Sequence, residues 1–225
     1  MTPGPEAPAP RGAERALARR RQRYEQEVER LLDAALQVMR ERDTASPGVT
    51  EILAVSGLST TAFYRHFPTK DDLLLALLER AHVRTRDHLL QRLSACPDPG
   101  GRVAEWVRGM FSLLRTDELV AANRPFLLAH PRLLERFPGE ITAGFDGLVA
   151  PLAEAIGEAR RGVGADASTA GADARLAMQH VFGILVDRAA LRLRSGPEVI
   201  EPLVAYTQRA VLPPSSERPQ AWTSA

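Results

Sequence analysis

Hydrogen-bonding side chains of several kinds are concentrated between residues 60 and 70, in the run TTAFYRHFPTK. This stretch supplies hydroxyl, guanidinium, imidazole and ammonium groups, on Thr60, Thr61, Tyr64, Arg65, His66 and Lys70. An arginine can bond guanine through two hydrogen bonds, and a threonine can contact a base edge or a thymine methyl group. Phosphate oxygens accept hydrogen bonds from all of these groups. The composition of the run therefore indicates recognition of nucleic acid.

The elements that carry these groups are predicted to be two short helices joined by a tight turn. Gly57 can adopt the left-handed conformation that ends the first helix, and Ser59 can cap the second. Pro68 ends the second helix, residues 60–67, because proline disfavours helical geometry in the residue before it. This pattern is typical of a helix-turn-helix motif, whose second helix enters the major groove of DNA.

The run LSTTAFYRHFPTKDDL resembles the TetR family of transcriptional repressors. It matches the family pattern at Leu58, Ser59, Phe63, Tyr64, His66, Phe67, Thr69, Lys70 and Asp71. It departs at Thr60, Thr61 and Ala62, where the family often has Lys-Gly-Thr, and this difference concerns the operator sequence. The resemblance implies a homodimeric repressor that binds a pseudo-palindromic DNA operator and is released by a small-molecule inducer bound inside a helical body.

We expect contacts to DNA phosphates from Tyr64, His66 and Lys70. We expect contacts to base edges from Thr60, Thr61 and Arg65. The alternative for His66 is a structural histidine tied into the turn. A basic cluster just before the motif is either a solvated segment or an arm that contacts DNA, and it comprises Arg19, Arg20, Arg21 and Arg23.

The hydrophobic periodicity predicts an all-α fold of about nine helices. Residues 13–69 form a three-helix DNA-binding head whose first helix covers about residues 24–42. Residues 70–212 form a ligand-binding and dimerisation bundle that begins with a long helix from Lys70 to Ala95. In that bundle we expect Pro125 to break one helix and residues 131–137 to form a separate short one. Residues 1–12 and 213–225 are predicted to be disordered tails.

The candidate ligand-lining residues of the body are its aromatic, methionine and histidine side chains: Trp106, Met110, Phe126, His130, Phe145, Met178 and Phe182. Their composition favours a small, mostly apolar ligand. For each residue, ordinary core packing is the alternative. The last two helices, about 172–194 and 197–211, suggest a four-helix dimer interface because the first of them is apolar over a wide arc. The alternative is that these helices only close the monomer core.

The composition excludes several other classes of protein. The 225 residues carry a net charge of +1 and one cysteine, Cys96, so an internal disulfide or a cysteine-based zinc cluster is ruled out. We find no long apolar segment, no histidine–glutamate metal motif and no nucleophile motif, so we expect a cytoplasmic protein that is not an enzyme and needs no cofactor. Two alternatives are a helical protein–protein interaction module that no longer reads DNA and a helical enzyme whose acid/base pair we cannot locate.

Overall fold

The computed structural model describes residues 11–214, and the described part of the chain is helical without strands. Its helices are α1 (Arg11–Arg42), α2 (Val49–Ser56), α3 (Thr60–His66), α4 (Lys70–Ser94), α5 (Pro99–Phe111), α6 (Asp117–Arg136), α7 (Pro138–Gly162), α8 (Ala170–Ala190) and α9 (Pro197–Val211). A short 3-10 helix, Ser112–Leu114, follows α5. The predicted all-α class is confirmed.

The chain divides into two compact units that meet between Ala76 and Leu77, inside α4. The predicted boundary, after Thr69, lies seven residues earlier. Helix α1 begins at Arg11, so residues 11 and 12 of the predicted N-terminal tail belong to this helix. The rest of that tail and residues 215–225 of the predicted C-terminal tail lie outside the described range. No helix within residues 11–214 combines the length and apolarity needed to cross a membrane.

The N-terminal unit is built around apolar side chains of α1, α2 and α3. Leu31, Met39, Ile52 and Phe63 are fully or almost fully buried. Gly57 ends α2 in the left-handed conformation, with φ of 64°, and its amide bonds the carbonyl of Leu53 at 2.9 Å. These features place α3 directly after α2, as a helix-turn-helix motif requires.

The C-terminal unit has one continuous core formed by α5 to α9 and the second part of α4. Its largest buried side chain is Trp106, whose indole nitrogen donates to the Leu148 carbonyl at 2.9 Å. Helix α6 is a single helix with Pro125 and Pro131 inside it, so the predicted break and the separate short helix are wrong. A proline removes one backbone hydrogen bond, and the packing of buried residues on both sides of each proline keeps α6 continuous.

Candidate DNA-binding surface and ligand cavity

Helix α3 presents a polar face to solvent and an apolar face to the core. Thr60, Thr61, Tyr64 and Arg65 are exposed, and they are four of the six predicted DNA contacts. Ser59 caps the start of the helix, because its hydroxyl accepts a hydrogen bond from the amide of Ala62 at 3.2 Å. The opposite face carries two phenylalanines, Phe63 and Phe67, which are buried with ring centroids 6.1 Å apart. The exposed face therefore rests on a fixed apolar support.

The fifth predicted contact, His66, lies on the buried face of α3. Its side chain is inaccessible to solvent, and Nε2 donates to Oε2 of Glu27 at 2.8 Å. The Tyr24 ring packs edge-on against the imidazole, with centroids 4.4 Å apart. In this conformation the buried imidazole does not face solvent, so the structure favours the alternative of a structural histidine. The histidine instead ties α3 to α1.

Glu27 on α1 is a further residue of this surface, and it was not among the predicted site residues. Its carboxylate also accepts a hydrogen bond from the Arg65 guanidinium, which is itself more than half exposed. The hydrogen bond from His66 and the neighbouring Arg65 hold the pKa of Glu27 below its usual range. Glu27 therefore stays charged near neutral pH, and it holds Arg65 at the edge of the exposed face.

Lys70 begins α4, and its ammonium donates to the Ser46 hydroxyl at 2.6 Å. The start of α4 is capped as predicted, because the Thr69 amide bonds Asp72 at 2.8 Å and the Asp72 amide bonds the Thr69 hydroxyl at 3.3 Å. This cap fixes the backbone that carries Lys70. Its predicted phosphate contact stays a prediction.

The predicted basic arm is part of a helix. Its four arginines, Arg19, Arg20, Arg21 and Arg23, lie on α1 and are exposed. Arg21 is paired with Glu25 on the next turn at 2.9 Å. In this conformation the segment is a helical surface, and it is not an extended strand that could follow a minor groove.

The C-terminal unit encloses a cavity that leaves about 50 Å³ for the centres of water molecules. Six of the seven predicted ligand-lining residues surround it: Met110, Phe126, His130, Phe145, Met178 and Phe182. The seventh, Trp106, is part of the buried core and is not among the residues that line this cavity, so the structure favours core packing for it. Its only polar atom is already bonded to Leu148.

Three aromatic rings separate this cavity from a groove on the surface of the same unit. His130, Phe145 and Phe182 contact one another, with centroid distances of 4.6 to 4.9 Å. The same three rings also line the groove, which leaves about 400 Å³ for water centres. The ring cluster is therefore the wall between the two spaces.

Histidine His82 also lines the cavity and was not predicted. Burial, together with the nearby His130, lowers the pKa of His82 to about 4, and burial also lowers the pKa of His130. Both imidazoles are therefore neutral at pH 7. A signal for His82 was present in the sequence, because Leu78, Ala81, His82 and Thr85 follow the i, i+3, i+4, i+7 spacing of one helix face, and all four line the cavity.

A comparison with known protein families gives a match that lies almost entirely within the N-terminal unit. Residues 31–77 match the model of bacterial regulatory proteins of the tetR family. An uncharacterized HTH-type transcriptional regulator of Mycobacterium tuberculosis is 28% identical over 100 residues, which are 44% of this chain and 50% of that protein. The chain thus spans about half the length of this curated relative.

Solved structures match over most of the chain. Reduced NemR of Escherichia coli has a TM-score of 0.64 at 18% identity, covering 84% of this chain and 99% of that one. RolR in complex with resorcinol has a TM-score of 0.62 at 20% identity, covering 84% of this chain and 89% of that one. At this level of identity, the likeness shows the fold: a helix-turn-helix unit followed by a helical C-terminal unit.

Proposed function

We propose that the chain, whose residues 31–77 match the model of bacterial regulatory proteins of the tetR family, is a DNA-binding transcriptional regulator. The observation that carries the proposal is the two-sided character of α3. Thr60, Thr61, Tyr64 and Arg65 face solvent, while Phe63 is completely buried behind them. Exposed donors on a supported second helix are what direct readout in a major groove requires.

We further propose that two copies act together through α8 and α9. Leu176 on α8 and Tyr206 on α9 are 63% and 52% exposed and line one surface groove with His180. Water-exposed apolar side chains on adjacent helices favour burial against a second copy. A symmetric dimer places two α3 helices in successive major grooves, about 34 Å apart or a multiple of that distance, so the operator is pseudo-palindromic.

The ligand of this regulator, in the same proposal, occupies the cavity of the C-terminal unit and releases the DNA, so the protein is a repressor. The lining is mostly apolar, which suits a small, mostly apolar molecule. RolR, which shares the fold, is seen with resorcinol, a small ring compound. A ligand can lower DNA affinity only by binding the DNA-free conformation more tightly than the DNA-bound one.

A titration of DNA by fluorescence anisotropy tests the regulator function. The duplex is the region upstream of the protein's own gene, and a shuffled duplex of the same composition is the competitor. Thr61→Glu places a carboxylate on the exposed face of α3, which the proposal directs toward the DNA. Ala150→Glu, at an exposed position of α7 in the C-terminal unit, adds the same charge elsewhere and is the matched control.

We expect the wild-type protein and Ala150→Glu to prefer the upstream duplex, and Thr61→Glu to lose at least tenfold in affinity, because a carboxylate against phosphates is repelled. Equal binding by Thr61→Glu would show that α3 does not face the DNA. Absence of preference for any upstream duplex in the wild-type protein would favour the protein–protein interaction module.

A further inference from the structure

The cavity of the C-terminal unit holds one buried polar atom that lacks a partner. Among the side chains that line it, only His130 has a nitrogen, Nε2, that is fully buried and makes no hydrogen bond in the described structure. The amide nitrogen of Asn123 is already committed to the Leu113 and Leu119 carbonyls, each at 2.9 Å. A buried nitrogen without a partner costs free energy, so such an atom in a native protein usually has a protein group, an ordered water or a ligand as its partner.

We propose that His130 is the polar anchor of the cavity and that its ligand is a neutral, single-ring compound bearing a hydroxyl group. This inference rests on the proposed ligand-responsive function and names the chemical class of the ligand. A neutral imidazole nitrogen is a donor in one tautomer and an acceptor in the other. A hydroxyl group both donates and accepts, so it satisfies Nε2 in either tautomer.

The size of the cavity favours a small ligand. A single water molecule needs about 10–15 Å³ of space for its centre, so the 50 Å³ of the cavity accepts a molecule larger than one water but still small. That volume suits a six-membered ring with one or two substituents. The walls present aromatic edges and faces, since Phe145 and Phe182 flank His130 at centroid distances of 4.9 and 4.6 Å, and rings pack well in such arrangements.

The neutrality of the ligand follows from the charges around the cavity. None of its fifteen lining residues is an aspartate, glutamate, lysine or arginine. The nearby groove contains Arg175, but that guanidinium is paired with Asp146 at 3.1 Å. Both lining histidines, His82 and His130, are uncharged at pH 7 because burial lowers their pKa values. A charged ligand would lose its hydration with no opposite charge to replace it.

The test uses three probes of similar shape in calorimetric titrations of the full-length protein at pH 7.5. Phenol carries the hydroxyl, toluene replaces it with a methyl group, and benzoate adds a negative charge. His130→Phe keeps a ring of similar shape and removes the nitrogen, while His130→Gln keeps a hydrogen-bonding group. Phe126→Leu changes the apolar lining only and is the control for altered shape.

We expect the wild-type protein to bind phenol about tenfold more tightly than toluene, because one hydrogen bond to a buried nitrogen contributes about that factor. Benzoate should bind most weakly of the three. His130→Phe brings the phenol and toluene affinities together, His130→Gln keeps part of the preference, and Phe126→Leu lowers both affinities while leaving their ratio unchanged. Equal wild-type affinities for phenol and toluene would overturn the anchor. Benzoate binding as tight as phenol binding would overturn neutrality, and binding of none of the probes would overturn the single-ring class.

These failures are separable from failure of the proposed function, because DNA binding is measured without any ligand. A protein that binds its upstream duplex but none of the three probes remains a regulator whose ligand belongs to a different chemical class. A protein that binds phenol through His130 but no DNA keeps the ligand site and loses the regulatory role.

Discussion

The imidazole of His66, at the end of α3, donates a hydrogen bond from Nε2 to Oε2 of Glu27 on α1 across 2.8 Å. The same carboxylate accepts from the Arg65 guanidinium. One side chain of α1 therefore holds both a buried residue and an exposed residue of α3. The orientation of the proposed DNA-reading face depends on this contact as well as on the phenylalanines behind it.

Replacing Glu27 with alanine is expected to weaken DNA binding several-fold and to lower the melting temperature of the N-terminal unit. The change leaves the buried Nε2 of His66 without its acceptor and frees the guanidinium of Arg65. Circular dichroism melting and anisotropy titrations measure the two effects. Glu25→Ala is the control, since Glu25 pairs with exposed Arg21 on the same helix. Equal behaviour of the two variants would remove the positioning role of Glu27.

The helices of the N-terminal unit were largely predictable from the sequence, because its turn, caps and apolar spacing are local features. His66 shows where the type of a side chain alone was not enough to predict its surroundings. It follows Phe63 by three residues, so helical geometry places both on one face, and the structure buries both. Its partner Glu27 lies 39 positions away in the chain, and a contact across that distance has no local signal.

Gly144 on α7 makes room for His82, and its replacement with alanine is expected to destabilise the C-terminal unit. A Cβ atom there would lie 2.1 Å from Nδ1 of His82. Overpacking of this kind costs about 1–3 kcal/mol, against at most about 1 kcal/mol gained from helix propensity. Gly147→Ala on the same helix is the control, since its Cβ would meet nothing closer than 3.8 Å. Thermal unfolding should show a loss for Gly144→Ala and a gain for Gly147→Ala; equal gains would contradict the packing of His82.

For the C-terminal unit, the sequence predicted the helices and a set of candidate lining residues, but it did not predict the cavity itself. The cavity-lining residues come together from α4 to α8 and the short 3-10 helix, so only the tertiary arrangement separates cavity-lining side chains from core. Trp106 is of a side-chain type that often lines ligand sites, but it packs in the core. Pro125 is of a type that usually breaks helices, yet it lies inside α6. The packing around it outweighs the one hydrogen bond that proline removes.

The partly buried His82 is expected to make stability depend on pH below neutrality. Its pKa is about 4 in the folded protein and about 6.5 when unfolded, so the unfolded state binds more protons between these values. The stability is complete above pH 6.5 and is lost as the pH falls toward 4, by at most about 3 kcal/mol from this group. Urea unfolding of the wild-type protein and His82→Phe between pH 7.5 and 4.5 measures the effect. A wild-type slope no steeper than that of the variant would contradict the assignment.

Lys70 is expected to contact a phosphate, so Lys70→Ala should weaken binding to all duplexes alike. Each phosphate contact by a cation releases counterions, and losing one reduces the slope of log affinity against log salt by about 1. Anisotropy titrations at several salt concentrations give the slope for the wild-type protein and the variant. Arg161→Ala, at an exposed position in the last turn of α7 in the C-terminal unit, removes an equal charge and should leave the slope unchanged. An unaltered slope for Lys70→Ala would rule out its phosphate contact.

The most direct measurement is protection of guanine N7 from dimethyl sulfate in the upstream duplex, because that atom lies in the major groove. We predict two groups of protected guanines about one helical turn, or a multiple of it, apart, with one guanine in each group exposed again when Arg65 is replaced by alanine. DNA bound by the wild-type protein without any N7 protection, or with protection that Arg65→Ala leaves unchanged at every guanine, would contradict the reading of bases by the exposed face of α3.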